Sequence, residues 1–373
     1  MPTHKLSLIY DHQIFQAQVY GGISRYFEEL IERAAKTPDI DLSLFLGFHI
    51  NRHQFEHFRN HCGNYFGVRV PLLPKVQQKF IYRVNDLAFK LFEKRARPRL
   101  YHQTYYGDPL PGFRGKRVLT VHDMIHELYP RYFSKSDRTS QLKKFAVAKA
   151  DIILANSQST KNDLMRVFGT PKEKIVVTLL ANSLRVKAAG HALISEPYLL
   201  YVGSRETYKN FKLLLRAYGE RKALHKNFKL VCCGGGRWTA EEAQIANRFS
   251  ISDRISVLTG DDQLLANLYK NASAFVYPSL YEGFGIPPLE AMHYGCPVLA
   301  SNTSSIPEVV GDAGYYFNPE SLDDLADKLE KIVTISEERE KLVQRGIERE
   351  KNFSWDSCFD QTLSLYRDLA STD

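Results

Sequence analysis

The stretch Pro278-Ser-Leu-Tyr-Glu-Gly-Phe-Gly-Ile-Pro-Pro-Leu-Glu-Ala-Met292 carries two carboxylates, Glu282 and Glu290, on either side of a strand-to-helix turn. An apolar run ends at Tyr277, a loop with Gly283 and Gly285 follows, and Pro287 and Pro288 suit the first turn of a helix, where backbone N–H groups have no intrahelical partner. The amides of Phe284, Gly285 and Ile286 are then expected to point outward at a helix N-terminus, whose partial positive charge binds phosphate. Carboxylates accept hydrogen bonds from hydroxyls, so Glu282 and Glu290 at the mouth of one pocket suit a sugar and a ribose. Each piece alone has a plainer use: Glu290 favours the helix dipole, and the glycines serve the turn. Both carboxylates and both glycines in this strand-and-helix setting are harder to explain that way.

A second group follows the apolar run Tyr198–Val202: Tyr201-Val-Gly203-Ser-Arg205-Glu-Thr-Tyr-Lys209 places Gly203 at a strand end and two cations, Arg205 and Lys209, just beyond it. Arg205 has an acidic neighbour, Glu206, as an alternative partner. Nearer the N-terminus, Gly21-Gly22-Ile-Ser-Arg-Tyr-Phe opens a helix, and Thr120-Val-His122-Asp123 ends a strand. As bare patterns these two are weak, since glycine pairs often serve turns and a His at a strand end is often structural.

With seven residues between them, Glu282 and Glu290 resemble the paired-glutamate motif of the retaining GT-B glycosyltransferases, specifically glycosyltransferase family 4 (group 1), and within it mannosyltransferases of surface-polysaccharide assembly. The likeness continues through Gly295-Cys-Pro-Val-Leu-Ala-Ser-Asn302 and Ser305-Ile-Pro-Glu-Val-Val-Gly-Asp-Ala-Gly314, covering the second half nearly throughout and the first in islands. It implies a nucleotide-sugar donor, retention at the anomeric carbon, and neither metal nor other cofactor. Glu282, Gly283 and the amides of Phe284, Gly285 and Ile286 would hold the donor sugar, and Glu290 the ribose hydroxyls. Gly203, Arg205 and Lys209 would meet the diphosphate, whose charge grows as the glycosidic bond breaks. Gly22 would belong to a glycine-rich loop beside the diphosphate and acceptor. His122 would touch the donor sugar and, with Glu282, Lys209 and Arg205, make up the catalytic set. The resemblance favours GDP-mannose as donor and a saccharide or polyprenyl-linked oligosaccharide as acceptor, although UDP- and dTDP-sugar users share the pattern. Its implied route is front-face attack, with the leaving phosphate accepting the acceptor's proton. Two positions depart from the family: Tyr208 stands where an Arg often neighbours the Lys, and Ala181-Asn182-Ser183 replaces a frequent Asn-Gly.

The elements that must position these residues alternate along the chain. Strands are expected at Leu6–Tyr10, Leu42–Phe48, Arg117–His122 and Asp151–Ala155, with helices near 22–35, 79–96 and 138–149. The second half repeats the scheme: strands at Tyr198–Val202, Phe228–Cys233, Ile255–Leu258, Ala274–Tyr277 and Pro297–Ala300 alternate with helices at Lys212–Ala217, Gln263–Lys270 and Pro288–Tyr294, before a charged helical tail from Leu322. Strands apolar on both faces, separated by helices, imply an α/β fold of two Rossmann-like, doubly wound parallel sheets facing a cleft. Periodicity lapses between Leu184 and Pro197, so the domains are expected at 1–190 (acceptor side) and 191–373 (donor side), the C-terminal helix being a candidate to cross back to the first.

At 373 residues the chain suits two such domains, and 44% hydrophobic with 25% charged residues is ordinary globular composition. The apolar run at the N-terminus is too short for a signal peptide and no window approaches a membrane span, so a cytoplasmic location is expected. Cys62, Cys232, Cys233, Cys296 and Cys358 show no metal-ligand spacing. Asp39-Ile-Asp41 imitates a metal-binding DxD pair but sits in a charged loop and is expected to be solvated. The net charge of +8 suits an anionic partner. Lys75–Arg99 concentrates eight Lys or Arg against two acids, with Phe80, Ile81, Val84, Leu87, Ala88, Leu91 and Phe92 at helical spacing. An anionic membrane surface, with the protein peripheral on its cytoplasmic face, is one expected partner; packing of this stripe on the sheet is the other. Nucleic acid is not expected. A nucleotide-sugar 2-epimerase would share the architecture without an acceptor, and a non-catalytic basic binding protein would leave Glu282, Glu290 and Lys209 unused.

Overall fold

Short apolar runs suit the strands of a sheet covered on both sides, and each run read as a strand is one here. The computed structural model describes residues 5–188, 191–205, 207–334 and 336–371. The chain divides into two compact units, Met1–Glu127 with Phe133–Leu180 and Trp355–Asp373, and Leu128–Tyr132 with Ala181–Ser354. The boundary expected at 190/191 falls on Gly190, outside the described residues; the units part at Leu180/Ala181.

In the first unit β1 (Leu6–Tyr10), β2 (Ile40–His49), β3 (Asn64–Arg69), β4 (Leu100–Gln103), β5 (Lys116–Val121), β6 (Ile152–Ala155) and β7 (Ile175–Val177) form one parallel sheet in the order β3-β2-β1-β4-β5-β6-β7. The sequence reading missed β3, β4 and β7. Of these, β4 is Leu-Tyr-His-Gln, fully buried although half polar, because its side chains are paired inside. His102 Nε2 bonds Thr120 Oγ1 at 2.8 Å, while its Nδ1 meets the Tyr366 hydroxyl, which also bonds Tyr10 at 2.9 Å. That network ties the helix Trp355–Ser371 into the first unit, as do Arg33–Asp356 at 2.8 Å and Arg367–Asp39 at 2.7 Å. Asp39 is thus half of a surface ion pair.

The helix Lys75–Ala96 corrects the single apolar stripe read from the sequence. Residues at 100° intervals place Ile81, Ala88, Phe89 and Phe92 on one side and Val76, Phe80, Leu87 and Leu91 on the opposite side. The first set lies against the sheet: Phe89 and Phe92 sit 5.2 and 5.1 Å from the Phe45 ring. Between them Asn85 is buried and pinned to β2, accepting from Phe48 N at 2.9 Å and donating to Phe48 O at 3.1 Å. The second set is exposed.

In the second unit β8 (Tyr198–Val202), β9 (Lys229–Cys233), β10 (Ile255–Leu258), β11 (Ala274–Tyr277), β12 (Val298–Ser301) and β13 (Gly314–Phe317) form a parallel sheet ordered β10-β9-β8-β11-β12-β13. The chain runs outward from β8 through β9 to β10, then returns to the other side for β11. The crevice between the carboxyl ends of β8 and β11 is therefore a topological switch point, where open α/β sheets bind ligands.

Candidate active site

Three parallel strand ends meet at that switch point. Gly203 leaves β8 with φ +129°, and a Cβ built there meets nothing within 4 Å, so its backbone faces open space. Beside it β9 runs into Gly234, Gly235 and Gly236, all at positive φ (+94°, +79° and +68°), a conformation that side chains disfavour. Arg205 braces this loop. Its Nε bonds Glu242 at 2.9 Å, Nη1 bonds Gly234 O at 3.0 Å, and Nη2 bonds Gly236 O and Arg237 O at 3.0 and 2.8 Å. Glu242 in turn caps its own helix, accepting from Thr239 N at 2.7 Å. Arg205 was expected to meet the diphosphate. Four of its five N–H groups are instead committed to the loop and the buried Glu242 carboxylate, so in this structure it is a bracing residue. Glu206, the alternative partner, lies outside the described residues.

Lys209 is placed differently. The short turn Thr207–Lys209 is tied to the loop after β11 by Leu280 N bonding Tyr208 O at 2.8 Å. Lys209 Nζ then reaches both carboxylate oxygens of Glu282, at 2.8 and 3.0 Å. The pair is not sealed, since the two side chains retain 19% and 11% of their exposure. Ser304 and Ser305 hold the Glu282 backbone: Ser304 Oγ accepts from Glu282 N at 2.9 Å, and Ser305 Oγ donates to Glu282 O and Phe284 O at 2.8 Å each. Burial, and then the Glu282 charge, push the neighbouring Tyr277 hydroxyl well above its ordinary value.

The helix expected after the two prolines runs from Ile286 to His293, with Gly285 as its N-cap at φ +113°. No side chain caps this end. Phe284 is buried with its ring 5.9 Å from Phe353, which anchors the Gly283–Gly285 turn from below. Glu290, in the second turn, accepts from the Tyr269 hydroxyl at 2.9 Å. The Cys233 thiol is pushed up by burial first and by Glu290 second, which places this carboxylate by the glycine loop after β9. Gly203, Lys209, Glu282–Ile286 and Glu290 are thus gathered around one crevice. An anion at its helix N-terminus would have a cation beside it and a carboxylate on each flank.

His122 and Gly22 belong to the first unit. His122 follows the last residue of β5 and is buried, its ring 5.2 Å from Tyr26 and its carbonyl accepting from Asn156 Nδ2 at 2.7 Å. Burial lowers its pKa to about 4; Asp123 opposes this and Lys143 reinforces it, so the ring is neutral at pH 7. Its Nε2 is buried without a hydrogen-bond partner. Sequence reading missed Lys143, which is buried and donates to Asp123 O and Glu127 Oε2 at 2.9 and 2.8 Å, fixing the turn that carries His122. Only a fold places it there; along the chain it is one lysine in a helix. Gly22 opens the helix Gly22–Lys36, and a Cβ there meets nothing within 4 Å. Two residues on, Ser24 Oγ lies 3.3 Å from His53 Nε2, and His53 Nδ1 lies 2.6 Å from Glu28, a cluster no local motif announces. Asn182 closes its own turn by accepting from Leu184 N at 2.7 Å. Among the described residues no group of three His, Cys, Asp or Glu is placed to hold a metal ion.

Both halves of the chain match known proteins. Residues 20–178 match the family described as Glycosyltransferase Family 4, and residues 189–349 match Glycosyl transferases group 1. The chain is 32% identical over 371 residues to the O-antigen chain mannosyltransferase B of Escherichia coli, covering 93% of this chain and 96% of that one. It is 28% identical to the O-antigen chain mannosyltransferase RfbU of Salmonella typhimurium over 63% of this chain and 65% of that protein. A sucrose-phosphate synthase from Thermosynechococcus elongatus superposes with a TM-score of 0.79 at 21% identity, covering 98% of this chain and 99% of that one, a likeness of fold. Two parallel-sheet units, the paired glutamates at the switch point and these matches over both halves place the chain in glycosyltransferase family 4 (group 1): it is a glycosyltransferase of the GT-B fold.

Proposed function

We propose that this glycosyltransferase moves mannose from GDP-mannose onto a saccharide or polyprenyl-linked oligosaccharide in polysaccharide assembly, with retention of configuration and without a metal ion. The observation that carries this reading is Lys209, held by Glu282 beside an uncapped helix N-terminus at the switch point. The diphosphate rests on the amides of Phe284–Ile286, and Lys209 meets the charge that grows on it. Glu290 accepts from the ribose hydroxyls, and Glu282 accepts from a sugar hydroxyl while keeping the ammonium aimed. On the first unit neutral His122 offers Nε2 to a substrate hydroxyl, and Gly22 leaves room for a ligand beside its helix N-terminus. Arg205 acts through the glycine loop. In the transfer the bond from the anomeric carbon to the phosphate oxygen breaks, the acceptor oxygen bonds to the same face, and its proton passes to the leaving phosphate. The choice of mannose is supported by the names of the relatives.

The test is a panel of GDP-, UDP- and dTDP-sugars, reading released nucleotide with and without a saccharide acceptor and the anomeric configuration of the product by NMR. GDP-mannose alone should give acceptor-dependent release, an α-linked product and full activity in EDTA. An inverted product, or activity lost to EDTA and restored by a divalent ion, overturns the corresponding part. Acceptor-independent release with a rearranged sugar would indicate the epimerase.

A further inference from the structure

We propose that the outward face of the Lys75–Ala96 helix is a docking surface for an anionic lipid bilayer, into which its apolar side chains insert. A helix that packs on a sheet normally turns its only apolar face inward. This one has two. With Asn85, Phe89 and Phe92 fixed against β2, the opposite side presents Val76, Phe80, Leu87 and Leu91 at 81%, 69%, 63% and 70% exposure. Leu72, three residues before the helix, is 68% exposed. Leucine, phenylalanine and valine at that exposure are not scattered singly; they follow one line along one helix, the pattern that marks an interaction site.

The charges beside that line identify the partner. Lys79, Arg83, Lys90, Lys94 and Arg95 are all exposed and interleave with the apolar row, while the helix holds only Asp86 and Glu93 as acids, and Asp86 faces His12 at 3.2 Å. The Lys75 side chain lies outside the described residues. Lysine is depleted at protein–protein interfaces, where its desolvation is unfavourable, but it suits the headgroup layer, where the ammonium stays hydrated against lipid phosphate. An apolar line about one side chain deep, flanked by cations, is the form of a helix lying in the plane of a bilayer surface. Because the other face is pinned by Asn85 and the phenylalanines, insertion needs no refolding. Among the described residues no helix is long and apolar enough to cross a membrane, so attachment through this face would be reversible.

The experiment is sedimentation of the whole protein with vesicles of phosphatidylcholine alone or with phosphatidylglycerol, at low and high salt. The expected result is binding to the anionic vesicles only, weakened by salt. Two exposed-face variants separate the contributions. Phe80→Ser/Leu87→Ser/Leu91→Ser and Lys79→Gln/Arg83→Gln/Lys90→Gln/Lys94→Gln should each lower the partition coefficient by roughly tenfold or more, with unchanged melting temperature. No binding to anionic vesicles at low salt, or an apolar variant that binds like wild type, overturns the proposal. Vesicle-free self-association abolished by the serine variant would assign the face to a second copy of the chain instead. Thermal stabilisation by soluble GDP, read in parallel, is independent of this face, so a failure here is distinguishable from a failure of the transferase reading.

Discussion

Removing Lys209 should separate a structural role from a chemical one. In Lys209→Met the Glu282 carboxylate loses bonds of 2.8 and 3.0 Å to an ammonium and keeps its charge in a crevice where it is 11% exposed. Breaking a fully buried pair in this way costs about 3–5 kcal/mol, and the residual exposure here reduces that to about 1–3 kcal/mol for the second unit. The loss of turnover has another origin, the unmet charge of the leaving diphosphate. One such donor is worth about 2.7–4 kcal/mol, or about 10²–10³ in kcat, with a much smaller change in KM. Glu282→Gln distinguishes the two: added to Lys209→Met it removes the stranded charge and should recover most of the lost stability, yet turnover should stay down. The assay is a melting curve beside steady-state release of GDP for wild type, both single variants and the double. A Lys209→Met variant that loses stability but keeps wild-type kcat would refute the catalytic assignment and leave Lys209 as a partner of Glu282 alone.

Glu290→Ala should lower donor affinity at least tenfold in a nucleotide titration, since a hydrogen bond to a charged group contributes about 1.5–3 kcal/mol; unchanged affinity would remove Glu290 from the ribose site. Arg205→Ala leaves the Glu242 carboxylate in a site where both side chains are almost fully enclosed, and should destabilise the second unit by about 3–5 kcal/mol in denaturant melts. If instead stability holds and only kcat falls, Arg205 faces the phosphates after all. His122 ionises near 6.5 when unfolded but at about 4 in place, so the unfolded chain takes up the proton first as pH drops. The His122 contribution to the stability of the first unit should be level above about pH 7 and fall by about 3 kcal/mol between pH 6.5 and 4. His122→Asn should remove that fall from melting curves across pH 4–8, leaving a second one of similar size from buried His102, lowered to about 3.

The second unit was the more legible half because its chemistry is local. Glu282, Gly285, the prolines and Glu290 lie within one strand-to-helix turn, and a turn is what short-range sequence can specify. Lys143 and the Ser24–His53–Glu28 cluster join residues from separate elements, which no spacing along the chain records. Arg205 shows the other side of this. Its position after β8 suggested a ligand, but its partners Gly234, Gly236, Arg237 and Glu242 come from the next strand and helix. Among the elements, β4 was unreadable because its Tyr101, His102 and Gln103 look like loop residues until Thr120 and Tyr366 are seen to satisfy the buried histidine between them. The helix at 75–96 was located but misjudged in kind, since a 22-residue sequence with apolar residues on two faces reads as one broad stripe.

The helix Trp355–Ser371 completes the core of a unit that begins at the other end of the chain. Synthesis runs from the N-terminus, so residues 1–180 emerge with Tyr10 and His102 lacking Tyr366, and with the groove for Phe359 and Leu363 open to water. At about 5–20 residues per second, making residues 181–354 takes about 9–35 s, and for that interval the first unit waits without its last helix. A ribosome that stalls anywhere in that interval leaves a first unit whose core is still open joined to a second unit that is itself incomplete.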